Sequence, residues 1–371
     1  MLSKTLLTCG IALIFCDAAI FAQNNFLNTT ITAVPFLRTE IDARSAGMGT
    51  SSVATLNDAN AIFNNASKNI FAEDSIGIAV NYRNRFEASN AGHILSASAF
   101  YKLNEKNIIS AGYRNLNASV VFTGTGVIPD GDVHESALDI NYARKLNTNF
   151  AAGITLKYIH SNIPLFNHTG NTQNPATTIA GDLTCIYKKA FSFLEHNSIF
   201  TIGATASNLG SKITYTSLIQ KDFIPANLGI GAGYNFEFAN RNKLLITCDL
   251  NKLLVPTPDT LNINNNSLPD YKEESAMEGI FNSFSDAPGG FEEELHEINL
   301  ATGLEYNFDD QLFIRGGYFY EHPTKGGRQF YTTGAGIRYK FLQWDFAYLI
   351  PANIPQNPLE PLVTMTLAAS F

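Results

Sequence analysis

Carboxylate side chains are concentrated in one part of the chain, residues 270 to 297, and carboxylates are groups that could bind a cation. This stretch holds nine of them and a single lysine or arginine, Lys272. The nine are Asp270, Glu273, Glu274, Glu278, Asp286, Glu292, Glu293, Glu294 and Glu297. Calcium takes oxygen ligands, but the fixed Asp and Gly spacing of a calcium loop is missing. Calcium binding stays open beside the simpler interpretation of a solvated loop, and the sequence assigns no metal ligand.

An apolar run, Met277 to Phe284, interrupts the acidic stretch. Ile280, Phe281 and Phe284 follow a near-helical spacing, so they would form a patch on one side of a short helix. An exposed patch of large apolar side chains is usually covered, either by the same protein or by a partner. We therefore predict that this patch is buried, either against the barrel that the rest of the chain is predicted to form or against another protein.

Enzyme signatures do not occur in the sequence, which has no H-E-x-x-H, G-x-S-x-G or P-loop motif. The glycine run from Gly229 to Gly233 resembles a phosphate-binding loop, but it lies within a predicted strand and not between a strand and a helix. Glycines that make room for an inner segment are the better interpretation. We predict that the protein is not an enzyme and binds no cofactor.

Composition argues against nucleic acid as a partner. The formal charge is −8, and only 16% of the residues are charged. Binding to phosphate backbones depends on clusters of lysine and arginine, which this chain lacks.

The first 22 residues read as a signal peptide. Lys4 precedes an apolar run from Leu6 to Phe15, and small residues then lead to a cleavage site before Gln23. A lipoprotein site at Cys16 is disfavoured because bulky Phe15 stands before it. The chain is therefore expected to be exported.

Alternation of apolar and polar residues predicts an all-β protein, a transmembrane antiparallel β-barrel. After residue 22 no apolar run approaches the about 20 residues that a spanning helix requires, whereas a barrel strand needs about 9 to 11. We predict fourteen strands, near residues 75–84, 92–103, 107–116, 133–145, 148–160, 178–189, 198–209, 226–238, 242–251, 295–308, 311–320, 328–340, 342–350 and 361–371. The connections after odd-numbered strands are mostly long and those after even-numbered strands short, as in outer-membrane barrels.

The final strand ends in Phe371, with Ala369, Leu367, Met365 and Val363 on the same face. An aromatic C-terminal strand of this pattern is typical of bacterial outer-membrane barrels, so Phe371 is predicted to function in barrel assembly.

Residues 75–371 form the predicted barrel, with residues 252–294 as a long, acidic extracellular loop. Residues 23–74 are predicted to fold into the barrel as a hatch; a disordered periplasmic tail is the alternative.

Specific motifs in the N-terminal and C-terminal parts resemble the PorV family of the type IX secretion system of Bacteroidetes-type bacteria. In the N-terminal part these are Ala33–Leu37, Asp42–Gly49 and Phe71–Asp74; in the C-terminal part, Asp286–Phe291 and Arg315–His322. The hatch motif carried over from the resemblance consists of Pro35, Phe36, Asp42, Arg44, Gly47, Met48, Gly49 and Asn64. The wider relatives are FadL-like barrels, whose Asn-Pro-Ala hatch motif is Asn64-Asn65-Ala66 here, so its proline is lost.

The resemblance implies a non-enzymatic shuttle in the outer membrane. Such a protein would receive secreted cargo, through the cargo C-terminal domain, from the translocon barrel and deliver it to a sortase-like attachment complex. The candidate partner-binding residues are Ile280, Phe281, Phe284, Asp286, Pro288, Gly289, Gly290, Phe291, Glu293 and Glu294. The alternative is a FadL-like transporter of hydrophobic small molecules; a large acidic insertion beside an apolar patch favours protein docking over solute transport.

Overall fold

The computed structural model contains fourteen strands, as the sequence predicts. It describes residues 28–87, 90–120, 131–163, 175–193, 196–215, 221–238, 241–258, 270–352 and 361–371. The strands are β1 (Ile76–Glu87), β2 (Asn90–Asn104), β3 (Asn107–Val120), β4 (Gly131–Lys145), β5 (Phe150–Asn162), β6 (Ala176–Phe193), β7 (His196–Gly210), β8 (Asn227–Glu237), β9 (Lys243–Leu253), β10 (Ile298–Phe308), β11 (Leu312–Tyr320), β12 (Gln329–Tyr339), β13 (Leu342–Pro351) and β14 (Leu362–Ser370). The predicted signal peptide and its cleavage site lie outside the described residues.

The strands form one closed antiparallel barrel in which each strand pairs with its neighbours in sequence. β1 closes the barrel on β14, in a register that runs from Gly77 opposite Ser370 to Arg83 opposite Thr364. Closure leaves no unpaired sheet edge, which is the condition for strands to lie in a bilayer. The predicted fold class is confirmed.

The outward face of the barrel is apolar and the inward face is buried. On β13 the outward residues Leu342, Trp344 and Phe346 are exposed, whereas the inward residues Asp345 and Ala347 are buried. On β8 the same alternation places Ile230 outward and Gly231 inward. Among the described residues, none of the helices combines the length and apolar character needed to cross a bilayer.

The described residues before β1 pack against the inward face of the barrel. They form helix α1 (Ala43–Gly47) and three 3-10 helices, Pro35–Arg38, Ala59–Phe63 and Ala66–Phe71. Glycines of the strands lie where this segment passes closest: a Cβ on Gly233 would lie 2.7 Å from the Ala54 carbonyl oxygen, and one on Gly303 2.6 Å from that of Met48. Larger side chains at these two positions would displace the segment.

Most strand boundaries differ from the sequence-based prediction, by one to four residues. β10 begins at Ile298 instead of residue 295, because residues 291–296 form a helix whose carboxylates bind lysines of the barrel. β6 extends to Phe193, beyond the predicted end at residue 189. The connection between β1 and β2 is only residues 88 and 89, so it is the exception to the predicted alternation of long and short connections.

Candidate functional site

The acidic segment between β9 and β10 is folded into two short helices, α2 (Ala276–Asn282) and α3 (Phe291–His296). A capping box begins α2: the Ser275 hydroxyl accepts a hydrogen bond from the Glu278 N–H at 3.2 Å, and the Ser275 N–H donates to the Glu278 carboxylate at 2.9 Å. Hydrogen bonds from the backbone N–H and the side chain of Ser275 lower the pKa of the Glu278 carboxylate. The Glu278 carboxylate therefore has a local structural role.

One side of α2 packs on the barrel and the other is exposed. Gly279 is buried, and a Cβ there would lie 2.7 Å from the Phe223 ring and 2.9 Å from Pro256. On the opposite side Met277, Phe281 and Phe284 follow an i, i+4, i+7 spacing and are 59%, 68% and 49% exposed. Ile280, which the sequence groups with Phe281 and Phe284, is half-buried, and Met277 joins the exposed face instead.

A second exposed group lies on α3 and the turn before it. Pro288, Gly289 and Gly290 are exposed, and Gly290 takes φ 70°, a left-handed conformation that glycine tolerates. Phe291 and Leu295 are 78% and 49% exposed. We call Met277, Phe281, Phe284, Phe291 and Leu295 together the apolar loop surface. A set of this kind on one loop is unusual for a protein without a partner.

The carboxylates of α3 turn toward lysines of distant parts of the chain. Lys252 of β9 lies 3.0 Å from Glu294 and 2.5 Å from Glu297. Lys325, after β11, lies 2.5 Å from Glu293 and 2.9 Å from Glu297. The sequence-based count, which set only Lys272 against the acidic stretch, therefore underestimates the compensation. These ion pairs fix α3 to the barrel.

Burial and neighbouring charges shift the acid–base behaviour of this segment. Burial raises the pKa of Asp286 to about 6, although the carboxylate accepts a hydrogen bond from the Thr257 N–H at 3.0 Å. Burial also acts to raise the pKa of Glu293, but hydrogen bonds from Lys325, the Gly289 N–H and Asn28, together with the Lys325 charge, outweigh it and the pKa is lowered. Among the described residues no group of three or more His, Cys, Asp or Glu is placed to hold a metal ion.

Two histidines stack at the base of the segment. The rings of His296, the last residue of α3, and His322, after β11, lie 3.6 Å apart and within 3° of parallel. The Thr324 N–H donates to His322 Nδ1 at 3.3 Å. Burial, followed by the charges of His296 and Lys325, lowers the pKa of His322 to about 4.

The predicted hatch residues lie in the N-terminal segment against the barrel. Asp42 caps α1, accepting from the Ser45 N–H at 2.8 Å, and Met48 and Phe36 are buried. Gly49 has φ 64°, and a Cβ there would lie 2.5 Å from the Tyr318 N–H nitrogen. Of the other four hatch residues, Pro35 opens the first 3-10 helix, Gly47 lies beside Gly334, Asn64 lies beside Ser45, and Arg44 pairs with Glu305 of β10.

A buried ion-pair chain joins the N-terminal segment to the barrel. Both guanidinium nitrogens Nε and Nη2 of Arg44 donate to Glu305 of β10, at 3.0 and 2.8 Å. Glu305 also accepts from Arg315 of β11 at 2.6 Å, and Arg315 donates to Asp345 of β13 at 2.7 Å. Of the four residues in this chain of ion pairs, the sequence analysis assigned only Arg44 to the hatch. Lone charges at inward positions of otherwise uncharged strands are the signal that could have identified the other three.

A buried aspartate supplies a second anchor for the N-terminal segment. Asp249 of β9 accepts from the N–H groups of Ser52 and Val53, at 2.5 and 2.8 Å. A carboxylate that receives two backbone hydrogen bonds fixes the path of the chain at that point. The N-terminal segment is thus held at both α1 and residues 52–53.

Phe371 lies at the barrel seam, as its place at the end of the last strand requires. Its N–H donates to the Ile76 carbonyl oxygen at 2.8 Å, and its carbonyl oxygen accepts from the N–H groups of Ser75 and Ile76. The ring packs on Phe341, with the centroids 5.0 Å apart. Phe371 is therefore part of the contact that joins the two ends of the sheet.

A closed barrel of fourteen strands with an apolar exterior defines an outer-membrane β-barrel. A family model described as "Type IX secretion system protein PorV" matches residues 21–260, more than half of the chain. The chain belongs to this PorV family, and it is an outer-membrane component of the type IX secretion system. No curated protein matches the sequence.

Several solved structures are similar to this chain in fold. They include the Ralstonia pickettii toluene transporter TbuX, with 9% identity, a TM-score of 0.53 and coverage of 93% of this chain and 99% of that one. A Pseudomonas aeruginosa FadL homologue has 10% identity, a TM-score of 0.50 and coverage of 89% and 98%. The deltaS2S3 mutant of the TodX monoaromatic hydrocarbon channel has 12% identity, a TM-score of 0.56 and coverage of 89% and 99%. At such identities the likeness shows the fold alone.

Proposed function

We propose that this protein binds secreted cargo at its extracellular end, through the cargo C-terminal domain, and carries it from the translocon barrel to the attachment complex. The apolar loop surface is the observation that carries the proposal. Exposed aromatic side chains at the centre of a contact supply affinity, and charges around it steer the encounter. Partner binding through residues 270–297, cleavage before Gln23 and the absence of catalytic activity are parts of the same proposal.

The rigid attachment of the loop supports this function. A flexible loop would lose conformational freedom on binding, at about 0.5–1.5 kcal/mol for each immobilised side chain. Here Lys252 and Lys325 hold α3 through Glu293, Glu294 and Glu297, so Phe291 and Leu295 of the apolar loop surface are held in place before a partner binds. Pre-organisation of this kind favours docking.

Replacing Phe281 and Phe284 by serine tests the docking role. The expected result is at least a tenfold loss of secreted proteins that co-purify with the barrel from native membranes, because the anchors of the contact are removed. Leu146→Ser is the matched control: Leu146 is 59% exposed but lies between β4 and β5, at the opposite end of the barrel. Undiminished co-purification of cargo with the double variant would remove this surface from the mechanism.

Residues 23–74 are proposed to act as a permanent plug of the barrel. The support is the pair of anchors described above, Arg44 on Glu305 and residues 52–53 on Asp249. A plug fixed in this way suits a docking barrel and disfavours the alternative, a FadL-like transporter of hydrophobic small molecules. Faster uptake of toluene into liposomes that contain the protein than into protein-free liposomes of the same lipid would reverse this preference.

A further inference from the structure

The barrel contains a partly open cavity of about 420 Å³ beside the N-terminal segment. Its floor includes Phe36, Arg38 and Asn64, and its walls are the ends of strands on the side from which the β9–β10 segment leaves. Sites for small ligands typically measure about 300–1,000 Å³. The cavity is therefore suited to a short chain and not to a folded domain.

Positive charge exceeds negative charge at one edge of this cavity. Arg38 and Arg328 both line it and share one carboxylate, that of Glu321. Arg328 binds Glu321 closely, with two hydrogen bonds of 2.7 Å, whereas Arg38 stands 3.7 Å from it. Burial and the neighbouring Arg328 lower the pKa of Arg38 to about 10. An anion beside Arg38 would relieve this repulsion.

Glu40 is the one acidic side chain among the described residues that line the cavity. Burial, with the nearby Asp42, raises the pKa of Glu40 to about 8, while the charges of Arg83 and Lys68 act to lower it. Its carboxylate accepts a hydrogen bond from the Ser52 hydroxyl at 3.3 Å, and among the described residues Arg38 and Arg328 form their ion pairs with Glu321 and not with Glu40. A carboxylate ligand fits this edge because arginine binds carboxylates with paired, charge-assisted hydrogen bonds.

The two walls of the cavity differ in chemistry. The wall from β7 to β10 carries amide and hydroxyl side chains: Thr205, Ser207, Asn208, Asn227, Asn251 and Asn299. The opposite wall, from β11 to β14, carries Phe319, Phe330, Leu349 and Leu362, and the two phenyl rings stack with centroids 4.9 Å apart. An asparagine amide both donates and accepts, as does a peptide group, so the first wall matches a polypeptide backbone.

We propose that this cavity binds the last residues of a polypeptide, with the terminal carboxylate at Arg38 and Arg328. The backbone would run along the asparagine wall and an apolar side chain would contact Phe319 and Phe330. A fatty acid has the same carboxylate but would leave the asparagine wall unmatched, at a cost in desolvation. This inference rests on the proposed cargo-binding function and adds which part of the cargo enters the barrel.

Titration calorimetry on the full chain in lipid nanodiscs tests the inference. The probes are acetyl-Gly-Ala-Leu with a free carboxyl group, its carboxamide, decanoate and acetate. We expect the free acid to bind at least tenfold more tightly than the carboxamide and decanoate, and acetate not to compete at equal concentration. Arg38→Gln should weaken binding of the free-acid peptide at least tenfold. Arg241→Gln, in the turn between β8 and β9, should leave this binding unchanged.

A second variant separates the two ligand classes. Asn299→Leu removes one amide of the polar wall. It should weaken binding of the peptide and leave binding of decanoate unchanged or tighter. Far-ultraviolet circular dichroism confirms that each variant still forms the barrel. Binding of decanoate in preference to the peptide, equal binding of acid and carboxamide, or binding of no probe would each overturn the inference.

A separate measurement tests cargo binding. The amount of secreted protein that co-purifies with the Arg38→Gln variant and with the Phe281→Ser/Phe284→Ser variant distinguishes the cavity inference from the cargo-binding proposal. Failure of the peptide to bind, with cargo still captured through the apolar loop surface, would remove only the cavity inference.

Discussion

Glu305 is the residue on which the inner ion-pair chain depends, because two arginines, Arg44 and Arg315, share its carboxylate. Removing one member of a buried ion pair leaves the other charge without compensation, at a cost of about 3–5 kcal/mol. The chain of charges continues to Asp345, so the loss would affect α1 and three strands together. A single side chain thus couples the N-terminal segment to the wall.

Replacing Glu305 by alanine should therefore lower the free energy of unfolding by about 3–5 kcal/mol. The midpoint of guanidinium-induced unfolding in detergent micelles measures this change. Glu105→Ala, in the exposed turn between β2 and β3, is the control and should stay within about 0.5 kcal/mol. Equal midpoints for the two variants would show that the inner charges do not stabilise the fold.

The attachment of helix α3 to the barrel is expected to depend on pH, because His296 at the end of α3 stacks on His322. His322 faces His296 and Lys325, while Glu293 and Glu297 are held by Lys325. The folded-state pKa of His322 is depressed from 6.5 to about 4, so the folded form resists protonation between these values. By linkage its contribution to stability is present above pH 6.5 and is lost as the pH falls toward 4. Asp286, whose pKa is raised to about 6, contributes with the opposite sign.

The acid-dependent part of this attachment can be measured with His322→Asn, which retains a group able to cap the Thr324 N–H. Hydrogen exchange of residues 291–296 should become faster in the wild type than in the variant as the pH is lowered from 6.5 to 4, because only the wild type gains the repelling charge. Comparison of both proteins at each pH cancels the intrinsic pH dependence of exchange. Parallel curves would exclude the stack as the cause.

β14 is the element that closes the barrel, and Phe371, the residue directly after it, is expected to matter for insertion. Deletion of Phe371 removes the ring that packs on Phe341 and the backbone groups that bind Ser75 and Ile76. We expect slower assembly and at least a fivefold lower amount of barrel in the outer membrane, measured by fractionation. Phe308→Ser, at a turn away from the seam, is the control. Wild-type levels of the deletion variant would refute the role of the terminal aromatic residue.

At the scale of the whole molecule, the strands were predictable because each carries its own signal. The alternation of Ile230 and Gly231 in β8 depends only on neighbours in sequence, and the barrel follows from strands of this kind. The pairing of Lys252 and Lys325 with Glu297 was not predictable, since its partners come from separate connections. The same holds for Arg44 and Glu305, 261 residues apart, which meet only after the barrel has closed.

The glycines of the inward face have a consequence for biogenesis. The backbone of residues 48–54 lies so close to Gly233, Gly303 and Gly317 that even a Cβ at these glycines would clash with it. Residues 55–75 connect this stretch to β1, which forms the seam with β14, the last strand of the barrel. We therefore expect the strands to close around the N-terminal segment during assembly, so that the segment and the barrel reach their final structure in the same step.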